Sequence, residues 1–221
     1  SSLIALVIFF LMIRHPPSSS LNRSSAASDV YKSQVIQWSD KADTITSYQL
    51  ETEALLRGFG RSIEINRRRL RAEYELVSRL DTSRPVYMST SNGWGVPLRR
   101  PLPWGFGFSI YTNIYSHGRY HGTIHRPWLH RVRAWYIRWV LRRPVFIHEL
   151  QVEPWGPKAI WEMTTLQQNQ SMSPERIAFN INFAQSCHET PIDLWGGEWW
   201  YWRWLQDDKP AYHAVAKALR D

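Results

Sequence analysis

The sequence predicts an α/β fold, a parallel sheet covered by helices that forms part of a (β/α)8 TIM barrel, and two observations carry that prediction. From residue 35 onward, short apolar β-rich runs alternate with helical stretches, the pattern of βα units. Five such units fit an open doubly wound sheet as well as part of a barrel. The strand ends separate the two: they hold carboxylates and aromatics, where barrels gather their chemistry.

The elements follow in order. Residues 45–50 are strand-like. Residues 66–80 read as a helix, because Leu70, Tyr74, Val77 and Leu80 recur at three- and four-residue spacing while Arg67, Arg68 and Arg69 lie among its charged positions. Residues 85–89 form a strand opened by Pro85, which needs no ladder partner at a first position. The Gly/Pro/Trp-rich stretch 92–107 reads as a loop, and 108–111 as the third strand. A helix over 128–140 presents Leu129, Val132, Trp135, Tyr136 and Trp139 as a broad apolar face. Residues 144–150 are the clearest strand. Ser173 and Pro174 cap and start a helix that carries Ile177, Asn180, Ile181 and Ala184 towards a core. Residues 192–195 are the last strand and 210–219 the last helix. Continuous apolar strands between helices favour a parallel sheet buried on both faces.

Composition narrows the ligand. Thirteen tryptophans exceed what a core of this size needs, since indole is bulky and its N–H wants a partner. Surplus tryptophan lines grooves for flat, partly apolar ligands such as sugars, nucleobases or quaternary amines. The net charge is +8, but the arginines are spread along the chain with no nucleic-acid motif beside them. A solvated basic surface is therefore expected, and no nucleic-acid partner. A lone cysteine, Cys187, excludes an internal disulfide and a Cys-rich metal site. No metal cluster and no cofactor motif emerges, and each histidine reads as structural.

Residues 1–34 stand apart. The apolar run 3–13 is too short to span a bilayer and has no basic residue before it, unlike a signal peptide. Residues 9–34, with Arg14-His15-Pro16-Pro17 and the serine-rich stretch after it, resemble translated sequencing-adapter sequence of the kind found in assembled metagenomic reads. The expectation is a non-native segment over 1–34 and a partial barrel domain over 35–221. The compartment stays open between a membrane-anchored and a secreted bacterial parent.

Three motifs at the strand ends carry a family resemblance. Tyr48-Gln49-Leu50-Glu51-Thr52-Glu53-Ala54 resembles the strand-four motif of clan A glycoside hydrolases, whose glutamate is the acid/base. Phe146-Ile147-His148-Glu149-Leu150-Gln151-Val152-Glu153-Pro154-Trp155-Gly156 is similar to the strand-seven motif, which ends in the nucleophilic glutamate. Asp193-Leu194-Trp195-Gly196-Gly197-Glu198-Trp199-Trp200 resembles the strand-eight motif, whose tryptophan floors the sugar site. The resemblance is to cellulase-like, family-five-type proteins over about residues 35–205. It implies that strands four to eight are present, that the N-terminal strands are missing, and that the chain made alone is insoluble or inactive.

That resemblance implies a retaining hydrolase of β-linked glycosides, which needs two carboxylates about 5 Å apart. Glu149 would be the nucleophile and Glu53 the acid/base. Tyr111 would hydrogen-bond Glu149, and Trp195 would stack under the sugar. Trp94, Trp155 and Trp199 would flank it, with Asn92 and Thr52 completing the binding set. The substrate class is an oligo- or polysaccharide, and no obligate protein partner is implied. Alternatives stay open. Glu53 can be a helix-dipole glutamate, Glu153 competes with Glu149, and Tyr111 and Trp195 can be core aromatics. Thr52 stands where the clan has asparagine, which leaves room for a barrel that binds sugar without cleaving it. Strand alternation would turn His148 away from the side chain of Glu149.

Overall fold

The computed structural model describes residues 46–50, 67–90 and 102–218. Glu53, Thr52, Asn92, Trp94 and the 1–34 segment lie outside these. Five parallel strands form one sheet in the order β1 (Tyr48–Gln49), β2 (Val86–Thr90), β3 (Gly105–Ile110), β6 (Val145–Gln151) and β7 (Ile192–Trp195). The sheet curls as half of a barrel. A short antiparallel hairpin, β4 (Asn113–Ser116) and β5 (Arg119–Gly122), rises from the end of β3. The helices are α1 (Arg67–Leu80), α2 (Pro127–Trp139), α3 (Thr165–Ser171), α4 (Pro174–Gln185), α5 (Gly197–Leu205) and α6 (Pro210–Ala218).

The outer face of the sheet is apolar and packs on the helices in two clusters. Leu70 and Val77 of α1 and Ala134 and Ile137 of α2 cover Val86, Met88, Phe106, Phe108 and Val145. Ile177, Ile181 and Ala184 of α4, Trp199 and Trp200 of α5, and Ala211 and Val215 of α6 cover Ile110, Ile147, Leu150 and Val152. Each fully buried aliphatic side chain here is worth about 1.5–3 kcal/mol in transfer free energy.

The structure departs from the sequence reading at particular places. Gly105, Phe106 and Gly107, read as loop, are the first half of β3: small residues let the strand lie close to its neighbours, and Phe106 fills the outer core. The hairpin, α3 and α5 were not anticipated. The last strand ends at Trp195 as expected, and residues 197–200 open a helix. On α2 the expected apolar face is only partly buried: Leu129 and Tyr136 are half-buried. Val132, Trp135 and Trp139 are exposed, and His130, Arg133, Ala134 and Ile137 are buried. Arg133 tolerates burial because its guanidinium lies 4.5 Å over the Phe108 ring and its Nη2 donates to Thr90 Oγ1.

A polar knot ties β1 to the loop after α1. Asp81 accepts from Ser83 N and Oγ, from Arg84 N and from Tyr48 Oη, and it pairs with the Arg84 guanidinium. Burial alone would push its carboxyl up; the hydrogen bonds from Ser83, Arg84 and Tyr48 outweigh it and hold the group below the ordinary carboxylate range. A group depressed in this way stabilises the fold above the ordinary carboxylate pKa and loses that effect as acid titrates it. Asp81→Ala should therefore destabilise the fold at neutral pH, because it removes the acceptor that Ser83, Arg84 and Tyr48 share. Chemical denaturation at pH 7 and pH 3 checks this, with the gap between variant and parent narrowing at the lower pH.

Candidate functional site

The concave face of the sheet is polar where the convex face is apolar. Alternation along β2 and β3 turns Tyr87, Ser89, Gly107 and Ser109 inward, since Val86, Met88, Phe106 and Phe108 belong to the outer core. Phe146 joins them from β6, its ring edge-on to Tyr87 with centroids 4.9 Å apart. On β7, Ile192 and Leu194 pack against the outer core, which turns Asp193 and Trp195 to the inner side.

The pairing of β3 with β6 then breaks register. Phe108 faces Ile147, but Ser109 faces Glu149, so β6 carries one extra residue, His148. That β-bulge puts two successive side chains, His148 and Glu149, on the same face, and strict alternation resumes with Leu150 outward. The expectation that His148 turns away from Glu149 is overturned. Its Nε2 lies 3.7 Å from Glu149 Oε1 and shares a 3.2 Å hydrogen bond with Ser109 Oγ. Burial drives the His148 pKa down to about 3, so the ring is neutral and the Glu149 contact is no ion pair. Gly107 makes room for the ring: a Cβ there would stand 2.7 Å from His148 Cβ, Cγ and Cδ2.

Glu149 is held from the rim as well. Tyr111, the first residue after β3, donates its hydroxyl to Glu149 Oε2 at 2.9 Å. The turn behind Tyr111 is fixed from β6, where Gln151 Oε1 accepts from Thr112 N and Asn113 N while its Nε2 donates to Asn113 O. Asn180 of α4 closes the network, accepting from Thr112 Oγ1 and donating to Gln151 O. Trp155 meets Tyr111 edge-on at 5.4 Å and stays 41% exposed. Trp195 donates its indole N–H to Glu153 Oε1 at 2.7 Å, and Gly196 adopts φ +127, where a Cβ would stand 2.6 Å from Glu153 Cβ. Burial raises the Glu153 carboxyl, the Trp195 hydrogen bond lowers it, and the charge of Glu198 raises it further.

Among the sequence-derived candidates, the structure thus brings together Glu149, Tyr111 and Trp155, with Trp195 engaged on Glu153 at the end of the adjacent strand. Trp199 does not join them. It is 3% exposed in the outer core, its indole N–H bonded to Gln168 Oε1 and its ring under Arg203, so it offers no face to a ligand. Sequence reasoning missed Tyr87, Ser109, His148 and Asp193 as inner-face residues. Burial pushes Asp193 up to about 7, and burial with the charges of Asp193 and Glu149 pushes Tyr87 above the ordinary phenol range. Among the described residues, no group of three or more His, Cys, Asp or Glu side chains is arranged to hold a metal ion.

No protein-family model and no curated protein matches the chain. Its fold is similar to that of several solved structures, among them the following two. One is an FMN-binding β-glucuronidase from Facaelibacterium prausnitzii L2-6, with a TM-score of 0.53 and 17% identity, covering 80% of this chain and 26% of that one. The other is a GH2 β-galacturonidase from Eisenbergiella tayi bound to galacturonate, with a TM-score of 0.50 and 14% identity, covering 79% of this chain and 29% of that one. The chain spans less than a third of either. Identities this low speak for a shared fold, a barrel of the kind glycosidases use. Neither structure is of the cellulase-like, family-five type that the strand motifs resemble.

Two outcomes follow from the packing around these side chains and their neighbours. Gly107→Ala should cost about 1–3 kcal/mol by overpacking against the imidazole, whereas Gly118→Ala, with open space but φ +78, should cost about 1 kcal/mol through backbone strain alone; equilibrium denaturation of both variants checks the order. The buried histidines set an acid limit. His148 and His130 take up protons near 6.5 when unfolded but only near 3 and 4 when folded. Unfolded chains bind more protons in that window, so stability falls as pH drops below 6.5, by at most about 1.4 kcal/mol per pH unit for each ring. His130→Gln should reduce that slope between pH 4.5 and 6.5, measured by denaturant titration.

Proposed function

We propose that the protein is a glycoside hydrolase that cleaves β-linked glycosides with retention, using Glu149 as nucleophile and Glu53 as acid/base. The observation that carries this reading is the placement of Glu149. It lies near the C-terminal end of a parallel strand on the inner face of a curled sheet, and a tyrosine hydroxyl fixes one of its oxygens. Active residues of barrel enzymes stand at that end of the strands. Solved structures of similar fold include a β-glucuronidase and a β-galacturonidase, which supports a carbohydrate substrate. Glu53 enters from its strand-four-like motif alone.

The chemistry runs in two displacements. An oxygen of ionised Glu149 attacks the anomeric carbon as the glycosidic bond breaks, and Glu53 gives its proton to the departing oxygen. Glu53, now ionised, takes a proton from water. The hydroxide oxygen bonds to the anomeric carbon and frees Glu149, so two inversions give net retention. Tyr111 donates to Glu149 Oε2 and so fixes the orientation of the carboxylate. Trp155, partly exposed beside Tyr111, and Trp195 supply apolar faces for the ring. A second reading, a barrel that binds sugar without cleaving it, is favoured by Thr52 in place of asparagine.

Glu149→Gln in the full-length protein should abolish turnover of every glycoside. Glu53→Gln should slow substrates with poor leaving groups by about 10²–10⁴-fold and spare the first step on activated aryl glycosides, whose leaving oxygen needs no proton. Steady-state and burst kinetics on both substrate types check the assignment, and unchanged turnover in Glu149→Gln refutes it. Oligosaccharide binding by the parent with no product over days would select the non-cleaving reading.

A further inference from the structure

We propose that Asp193 is a sugar-binding residue of this site, its carboxylate accepting hydroxyls of the ring that lies over Glu149. The inference rests on the sugar-site reading above and adds a ligand contact that the motif resemblance does not assign.

The register places the residue. Ile192 pairs with Ile147 and Leu194 with Leu150, so Asp193 stands level with the His148–Glu149 bulge on the adjacent strand. Neighbouring strands lie about 4.8 Å apart, and both side chains belong to the inner face. The carboxyl of Asp193 thus sits beside that of Glu149, deep enough to face the same ring.

Its lack of partners among the described residues gives the second argument. Carboxylates such as Asp81 on Ser83, Arg84 and Tyr48, Glu189 on Arg138, Asp208 on Arg203 and Glu153 on the Trp195 indole have work inside the fold, while Glu162 and Glu198 face solvent. Asp193 makes no hydrogen bond or ion pair among the described residues, and its charge is felt by Tyr87. A half-buried carboxyl without donors is costly to keep ionised and is not kept for packing, since an apolar residue would serve the strand better. Two vicinal hydroxyls would supply the donors it lacks, as charge-assisted hydrogen bonds.

This arrangement couples binding to a proton. The titratable groups facing Asp193 among the described residues are Tyr87 from β2 and His148 and Glu149 from β6. Tyr87 is raised and His148 neutral, so neither supplies a cation. Burial leaves the free Asp193 carboxyl half-protonated near pH 7, and hydroxyl donors favour its charged form. Sugar binding should therefore release a proton and tighten as pH rises, by about tenfold between pH 6 and pH 8 for a single group titrating near 7.

The test is calorimetric titration of full-length Glu149→Gln with cellotetraose, xylotetraose, mannotetraose and a β-1,3-glucotetraose, at pH 6 and pH 8 and in buffers of different ionisation enthalpy. Expected are proton release and tighter binding at pH 8. Adding Asp193→Asn, which keeps the shape, should abolish both and weaken binding at pH 8 by roughly 10- to 100-fold. Asp193→Ser serves the same comparison if the amide disturbs folding, and thermal melts verify that either variant is intact. Equal affinity and equal proton release in the double variant overturn the Asp193 assignment and leave the hydrolase reading standing. Absence of binding to any of the four sugars, together with no hydrolysis of them by the parent, overturns both.

Discussion

One extra residue in β6 governs how this sheet can hold a site. A regular strand sends successive side chains to opposite faces, so a regular β6 would offer the inner face either His148 or Glu149. The bulge offers both, and it does so without disturbing the outer face, where Ile147 and Leu150 still pack into one core. The device needs a neighbour that gives way. Gly107 on β3 lacks the side chain that would occupy the imidazole position, and Ser109, two residues on, is small enough to bond the ring rather than displace it. Local backbone irregularity, a missing side chain and a buried hydrogen bond thus act as one unit.

Around that unit, polar groups are satisfied by position rather than by charge. The Gln151 amide meets three backbone groups of the turn after β3, and Asn180 reaches from a helix to the same strand. These contacts fix the Tyr111 backbone without bringing a formal charge near Glu149. Neutral networks of this sort rigidify a site when every member is satisfied. The charged knots, Asp81 with Arg84 and Arg203 with Asp208, lie elsewhere in the fold. The inner face is therefore a carboxylate-bearing surface lined mainly by neutral donors and aromatics, chemistry suited to polyhydroxylated ligands.

Much of the architecture was legible in the chain itself. The apolar strands at 85–89 and 144–150 and the helices at 66–80 and 210–219 follow from periodicity, because burial on the outer face selects apolar residues at those spacings. The contact of Tyr111 with Glu149 was an expectation of the family resemblance rather than of the residue pattern. What escaped has identifiable causes. A β-bulge leaves no composition signature, so alternation misplaced His148. Gly105 and Gly107 carry turn-like residue types although they serve close approach between strands. Trp135 and Trp139 look like core residues by hydropathy, yet Arg133 and His130 occupy the inward face because Phe108 and Thr90 accept them there. Asp193 escaped because a single carboxyl inside an apolar tetrapeptide carries no spacing to read.

The uneven distribution of indoles has a spectroscopic consequence. Among the described residues only Trp199 and Trp200 are buried, and both lie in the cluster beneath α4, α5 and α6. Among the described residues, the other cluster, built by α1 and α2 on β2 and β3, contains no tryptophan. Trp128, Trp135, Trp139 and Trp161 already face solvent and would emit much as they do in an unfolded chain. Intrinsic emission therefore reports the loosening of one half of the molecule and stays nearly silent about the other, where far-ultraviolet dichroism or amide exchange would have to supply the signal.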